Sequence, residues 1–214
     1  MRGKLILITG TMGGGKTREL INKVTCRREY FGEKVFVFKP DADTRSSKGK
    51  IESVGKEVTL SLDAYEIRTS DPWEAVKIMR EIEKKEGKFD AFACDEVQFF
   101  SNESGFCEVV DYLLQQGYNG ILAGLDRDFR GLPFGCTLSL IRFARENVIW
   151  TESACEKCKK KQAHLPQRIV NGKPAHYNSK LISPGGRQGS GDKIHYEARC
   201  YECHELPGKP MPPV

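Results

Sequence analysis

The sequence predicts an α/β fold: a parallel sheet with helices on both faces, followed by a small cysteine-paired lobe. Three observations carry this. Short continuous apolar runs alternate with stretches of helical period, the pattern of a sheet buried on both faces. A glycine-rich turn sits between the first apolar run and the first helical stretch. Two C-x-x-C pairs and the whole net charge lie beyond residue 150.

The elements follow in order. Lys4 to Thr9 is a buried strand, and Leu20, Ile21 and Val24 mark a helix over Thr17 to Tyr30. Val35 to Phe38 is a second strand, ended by Pro40. Asp41 to Lys56 is polar and strand-poor and reads as a long mobile loop. Asp71-Pro72-Trp73-Glu74 reads as a helix start, with Asp71 as N-cap and Glu74 as its capping-box partner. Trp73, Val76 and Ile82 would then face the sheet. Ala91 to Cys94 is a third strand, Phe106 to Leu114 a helix closed by Gly117, and Ile121 to Ala123 a fourth strand. A helix over Leu138 to Asn147 and a strand at Val148 to Trp150 complete the body, expected to span residues 1–150. The lobe is expected over 151–206, and a disordered tail over 207–214.

Composition limits the function classes. With 214 residues, 39% apolar and 29% charged, the chain suits one ordinary globular domain with a small appendage. No apolar run approaches the roughly 18 residues of a membrane helix. The N-terminus has no secretory pattern, so a cytoplasmic location is expected. Residues 1–150 hold 23 basic and 23 acidic residues, and residues 151–214 hold 11 and 6, so the entire +5 sits in the lobe. Lys159, Lys160 and Lys161 form a run, but stacking aromatics are few, so the run reads as a solvated face and direct nucleic-acid binding is not expected.

Gly10-Thr11-Met12-Gly13-Gly14-Gly15-Lys16-Thr17 fits G-x-x-x-x-G-K-[ST] in its required strand–helix context. A glycine-rich turn with a chance lysine is the rival, and the match at all four fixed positions in that context disfavours it. The body is therefore expected to be a P-loop kinase or NTPase-type α/β domain. Glycines let backbone N–H groups turn toward phosphate oxygens, and the next helix adds its dipole. Lys16 would neutralise the β- and γ-phosphates, and the Thr17 hydroxyl would ligate Mg²⁺. Asp95 ends the third strand, where a second magnesium-site carboxylate belongs, and Glu96 beside it can take a proton.

Cys155-x-x-Cys158 and Cys200-x-x-Cys203 together suit one tetrahedral zinc. Their separation from the P-loop makes this zinc structural. A redox or disulfide role is the rival, and two matching pairs without a signal peptide favour metal. The 41 residues between the pairs must loop out and return, and Gly185 to Asp192 within them is flexible by composition. His204 is one position off ligand spacing and reads as a bystander. Cys26, Cys94, Cys107 and Cys136 read as buried or inert thiols.

With these residues in hand, the sequence resembles the type II, cellular-type thymidine kinase family from about Gly10 to Cys203. The landmarks are Gly10-x-Met12-x-x-Gly15-Lys16-Thr17, Asp43-x-Arg45, Asp95-Glu96-x-Gln98-Phe99-Phe100 and the segment Gly124 to Gly135. Gln167-Arg168, Asn171 to Ala175 and Tyr196 to Cys200 complete them. The resemblance implies ATP- and Mg²⁺-dependent phosphorylation of the 5′-hydroxyl of thymidine, and of deoxyuridine, in nucleotide salvage. It makes Glu96 the general base and places Gln98 and Arg45 at the phosphates. It implies that Phe129 packs on thymine, with Met12, Leu125, Phe134, Arg168 and Tyr196 also on the nucleoside side. The chain between the cysteine pairs would be a lasso over the nucleoside. A homotetramer and feedback inhibition by thymidine triphosphate are implied likewise. Gly14 stands where the family commonly has Ser, Pro166 where members often have Thr, and no histidine lies near Ser53. These departures bear on thymidine preference more than on the reaction.

Two other functions would use some of the same residues. A nucleic-acid-stimulated P-loop ATPase with a zinc lobe leaves Asp95-Glu96-x-Gln98-Phe99-Phe100 and the long cysteine spacing without purpose. A non-catalytic nucleotide sensor would not need an intact Glu96 and Lys16.

Overall fold

The structure is a computed structural model that describes residues 1–44, 46–54, 58–181 and 193–210. In chain order its first elements are β1 (Leu5–Thr9), α1 (Lys16–Phe31), β2 (Val35–Pro40), β3 (Lys50–Val54), β4 (Thr59–Asp63) and β5 (Tyr65–Ile67). Then come α2 (Glu74–Glu86), β6 (Ala91–Cys94), α3 (Phe106–Gln115), β7 (Asn119–Gly124), α4 (Thr137–Ala144) and β8 (Val148–Trp150). The last are β9 (Leu165–Val170), β10 (Lys173–Pro174) and β11 (Ile194–Arg199).

Six strands form one sheet in the order β5-β2-β6-β7-β1-β8, and every pairing in it is parallel. Side chains alternate across it. Leu5, Leu7, Phe36, Phe38 and Phe92 enter one core with Met79 of α2, Val109 and Leu113 of α3 and Leu140 of α4. Ile8, Val35, Val37, Ala93 and Ile121 enter the other, under Leu20, Ile21 and Val24 of α1. Both faces are dry, which is why the strands read as unbroken apolar runs. A parallel sheet also gathers the loops after β1, β2, β6 and β7 at one edge, the usual place for a ligand.

Three expectations are corrected. Part of the expected loop over 41–56 is strand: β3 pairs antiparallel with β4. Ile51 is buried, and Leu60 and Leu62 are partly buried, all in the α1-side core. Alternation over strands this short is too brief to stand out from a polar segment. Next to β2, β5 adds an edge strand that the apolar runs did not mark. The capping box at Asp71 does not form. Helix α2 starts at Glu74, whose carboxylate accepts the Arg68 N–H at 2.9 Å, while Asp71 takes Arg68 and Lys77. Trp73 is 39% exposed and packs on Tyr112 instead of the sheet, whereas Val76 is buried as expected. Of the single cysteines, expected to be buried or inert, Cys94 and Cys136 are buried, Cys107 is intermediate and Cys26 is exposed.

The lobe is a three-stranded antiparallel sheet, β10-β9-β11, in which Arg168 faces Tyr196 and Leu165 faces Arg199. The flexible segment expected over Gly185 to Asp192 lies outside the described residues. The expected tail is described as far as Pro210, and Tyr177 donates its N–H to the Pro207 carbonyl. Among the described residues, no helix is long and apolar enough to cross a membrane.

Candidate active site

The glycine-rich turn runs from Gly10, after β1, to Thr17 in the first turn of α1. Gly13 and Gly15 have φ of 71° and 80°, backbone that side-chain-bearing residues rarely adopt. Because α1 begins at Lys16, its N-terminal N–H groups open toward the turn. Lys16 is buried and donates from Nζ to the Thr11 carbonyl at 2.7 Å. The Thr17 hydroxyl donates to Asp95 Oδ2, also at 2.7 Å. That bond reaches past β7, the strand between β1 and β6.

Asp95 and Glu96 follow β6 and are each 4% exposed. Glu96 has φ 57°, ψ 37°, in the left-handed region. For a residue other than glycine this conformation costs about 1–2 kcal/mol. Two contacts hold it. Asp95 Oδ1 accepts the Glu96 N–H at 2.9 Å, and the Gln98 amide donates to Glu96 Oε2. Through its other end, Gln98 accepts the Leu125 N–H at 3.0 Å. A chain of hydrogen bonds thus runs from Thr17 through Asp95, Glu96 and Gln98 to Leu125. Gly135 is forced here: a Cβ on it would lie 2.0 Å from the Gln98 carbonyl oxygen.

Beyond Leu125 the chain forms a turn around Asp128, which is 1% exposed. Its carboxylate accepts the N–H groups of Arg130 and Leu132 and the Arg130 guanidinium at 2.6 and 2.8 Å. The turn carries Phe129, which is buried, with its ring centroid 5.6 Å from the Arg168 guanidinium. Arg168 is anchored on the Lys180 carbonyl and sits opposite Tyr196 in the lobe sheet. Phe129 and Arg168 therefore meet across the junction of sheet and lobe, with Tyr196 beside Arg168 on the neighbouring strand. Phe134 stands edge-on to Phe99, with centroids 6.0 Å apart. Met12 and Leu125 are half-buried. Arg45 lies outside the described residues, while Asp43 of the same loop is buried against the fully buried Lys39 at 3.6 Å.

The sulfur atoms of Cys155, Cys158, Cys200 and Cys203 all lie within 4.8 Å of one another, and those of Cys158 and Cys200 are 4.0 Å apart. Tetrahedral zinc–thiolate bonds of about 2.3 Å call for sulfurs just under 4 Å apart, so the donor set fits zinc. Burial would raise the Cys155 thiol, but N–H groups of Cys158, Cys200 and Lys157 outweigh it and bring it to about 6. Burial pushes Cys200 up to about 12. A shared cation is what would let both be thiolates at neutral pH. Of the lysine run, Lys161 pairs with Glu202 at 2.7 Å, so part of the lobe's charge is locally matched.

Three residues with a part in this geometry carry little or no sequence signal of it. His204 is not among the clustered ligands, and its Nε2 bonds the Phe129 carbonyl. Thr151 packs against the glycine-rich turn. Lys39 sits beneath the loop after β2, and its Nζ reaches the Ser47 carbonyl at 3.2 Å. Only an apolar-looking strand end and a cysteine neighbour could have pointed to Lys39 and His204.

Comparison with known proteins now decides the family. Residues 3–204 match the family described as thymidine kinase. The chain is also 37% identical over 205 residues to the thymidine kinase of Thermococcus kodakarensis, covering 96% of this chain and 95% of that one. The chain belongs to the thymidine kinase family. It is accordingly a phosphotransferase with an ATP-binding P-loop, as the resemblance of its motifs implied. Among solved structures, domain III of the replication initiation protein DnaA from Thermotoga maritima aligns at 20% identity with a TM-score of 0.39, covering 71% of this chain and 55% of that one. The α/β thymidine kinase fold with its four-cysteine lobe thus rests on the sheet order and the cysteine geometry of this chain itself.

Proposed function

We propose that this kinase moves the γ-phosphate of ATP onto the 5′-hydroxyl of thymidine, with Glu96 as the general base. The observation that carries the reading is the hydrogen-bonded chain from Thr17 through Asp95, Glu96 and Gln98 to Leu125. It joins the phosphate loop to the nucleoside side through two adjacent buried carboxylates.

Residues Gly10 to Thr17 hold the phosphates, with the α1 N-terminus adding favourable dipole. Lys16 exchanges the Thr11 carbonyl for phosphate oxygen. Thr17 and Asp95 would hold Mg²⁺, which when bound supplies charge neutralisation at the β- and γ-phosphates. Arg45 assists at the transferring group. Glu96 accepts the 5′-hydroxyl proton as the oxygen bonds to the γ-phosphorus and the bond to the leaving ADP oxygen breaks. Gln98 keeps the carboxylate on line. Phe129 stacks on the thymine ring, and Met12, Leu125, Phe134, Arg168 and Tyr196 complete the pocket.

Residues 1–150 thus carry ATP and residues 151–206 close over the nucleoside. One structural zinc on the four cysteines ties both feet of the excursion between them. Deoxyuridine is accepted too, because a missing methyl is worth only about 1–3 kcal/mol. A homotetramer and feedback inhibition by thymidine triphosphate belong to the same reading, as does a reducing cytoplasmic setting for the free thiols. Steady-state assays on Glu96→Gln test it: turnover falls at least about a hundredfold while ATP binding is kept. Normal turnover in that variant would remove Glu96 from the chemistry.

A further inference from the structure

Thr151 follows β8 and opens the linker into the cysteine lobe. Its N–H donates to the Thr9 carbonyl at 2.8 Å, and its hydroxyl reaches the same oxygen at 3.2 Å. Thr9 immediately precedes the glycine-rich turn, so Thr151 is tied to the root of that turn. Two of the turn's glycines press on it from the other side. A Cβ on Gly10 would lie 2.4 Å from the Thr151 carbonyl oxygen and 2.9 Å from its hydroxyl. A Cβ on Gly14 would lie 2.6 Å from the hydroxyl and 3.0 Å from the Thr151 Cβ. Both values for Gly14 involve side-chain atoms of a residue held by two hydrogen bonds. Gly14 is not among the positive-φ glycines, so the wall, and not the backbone angle, is what excludes a side chain there. Gly13, by contrast, has only Ser153 of the same linker at 3.7 Å.

We propose that Thr151 is a positioning residue for the phosphate loop. Its side chain forms a wall of fixed volume behind Gly14, and the two residues are matched in size. A close-packed contact resists both added and lost volume. The loop can then place its N–H groups on phosphate without having to settle against the linker first, which lowers the ordering cost of binding. This rests on the phosphate-loop assignment above.

The test is a double-mutant cycle on the full-length, zinc-loaded kinase. It reads KM for ATP, KM for thymidine and thermal unfolding. Gly14→Ala overpacks the contact and raises KM for ATP about tenfold, with KM for thymidine changed less than about twofold. Thr151→Gly slackens the wall and raises KM for ATP about threefold. The double variant has a KM for ATP below that of either single variant, because the added methyl fills the vacated space. Single-variant factors that multiply in the double variant overturn the proposal, as does a Gly14→Ala enzyme with unchanged KM for ATP. If Gly14→Ala alone does not fold, adding it to Thr151→Gly still decides, by lowering KM for ATP or raising it. Lys16→Met run alongside separates the two levels. Intact ATP affinity in that variant removes the phosphate-loop assignment itself. Lost affinity together with a multiplicative cycle removes only the role of Thr151.

Discussion

His204 and the main-chain carbonyl of Phe129 are joined by a 2.9 Å hydrogen bond from the imidazole Nε2. Burial lowers the His204 pKa below its ordinary value, so the ring is neutral near pH 7 and the carbonyl selects the tautomer with hydrogen on Nε2. The residue beside a cysteine of the metal cluster thereby fixes the backbone of the aromatic proposed to meet the base. His204→Ala is expected to raise KM for thymidine about fivefold, the worth of one net hydrogen bond, with KM for ATP almost unchanged. His204→Gln, which keeps a donor, recovers part of the loss. Equal effects on both KM values would mean a general loss of structure.

The four-cysteine cluster has its own small core of Cys155, Ala163, Ala198 and Cys200, separate from the two cores of the main sheet. Losing the metal should therefore unfold the lobe and spare the sheet. Metal analysis should find one zinc per chain, and Cys200→Ser should lose it. That variant is expected to lose thymidine binding while retaining ATP binding, both read by equilibrium dialysis. Retained thymidine affinity without zinc would detach the cluster from the nucleoside site.

Lys39 has no exposed side-chain surface and lies 3.6 Å from Asp43 and 3.9 Å from Glu66. Breaking a buried ion pair by removing one partner is more costly than never having had the pair, and Lys39 is paired with both carboxylates named here. Lys39→Met should cost about 3 kcal/mol in urea unfolding, with the loop after β2 the first region to lose hydrogen-exchange protection.

Tyr118 donates its hydroxyl to Glu83 at 2.9 Å, and burial followed by this bond raises its pKa to about 12 from the usual 10. A raised folded-state value favours the protonated form. Its stabilisation is complete below about pH 10 and is lost as the pH climbs through 12. Tyr118→Phe should lack this part of the alkaline fall in stability. A wild-type and variant difference that is flat across that window would contradict it.

Much of the site was legible before any coordinates. Val35 to Phe38 and Ala91 to Cys94 are apolar on both faces and could only be buried strands, and Gly10 to Thr17 names its own chemistry by spacing. The landmark Asp95-Glu96-x-Gln98 put two adjacent carboxylates at the end of a strand, but not the left-handed backbone of Glu96 or its side-chain bond from Gln98. The hairpin of β3 and β4 was not legible, because Ile51, Leu60 and Leu62 are scattered among polar residues. Trp73 was misplaced because hydrophobicity cannot say that another aromatic, Tyr112, is the partner.

The sequence by itself determined the buried strands and helices of the main sheet, the phosphate loop, the cysteine pairs and, through its motifs, the thymidine kinase family. All of these depend on residues near one another along the chain or on short fixed spacings. The tertiary structure alone decided that Thr151 walls Gly14, that His204 holds Phe129 and that Arg168 comes over the Phe129 ring. Each of these joins residues from distant elements. Such contacts depend on volume and direction in space, and neither has a period along the chain.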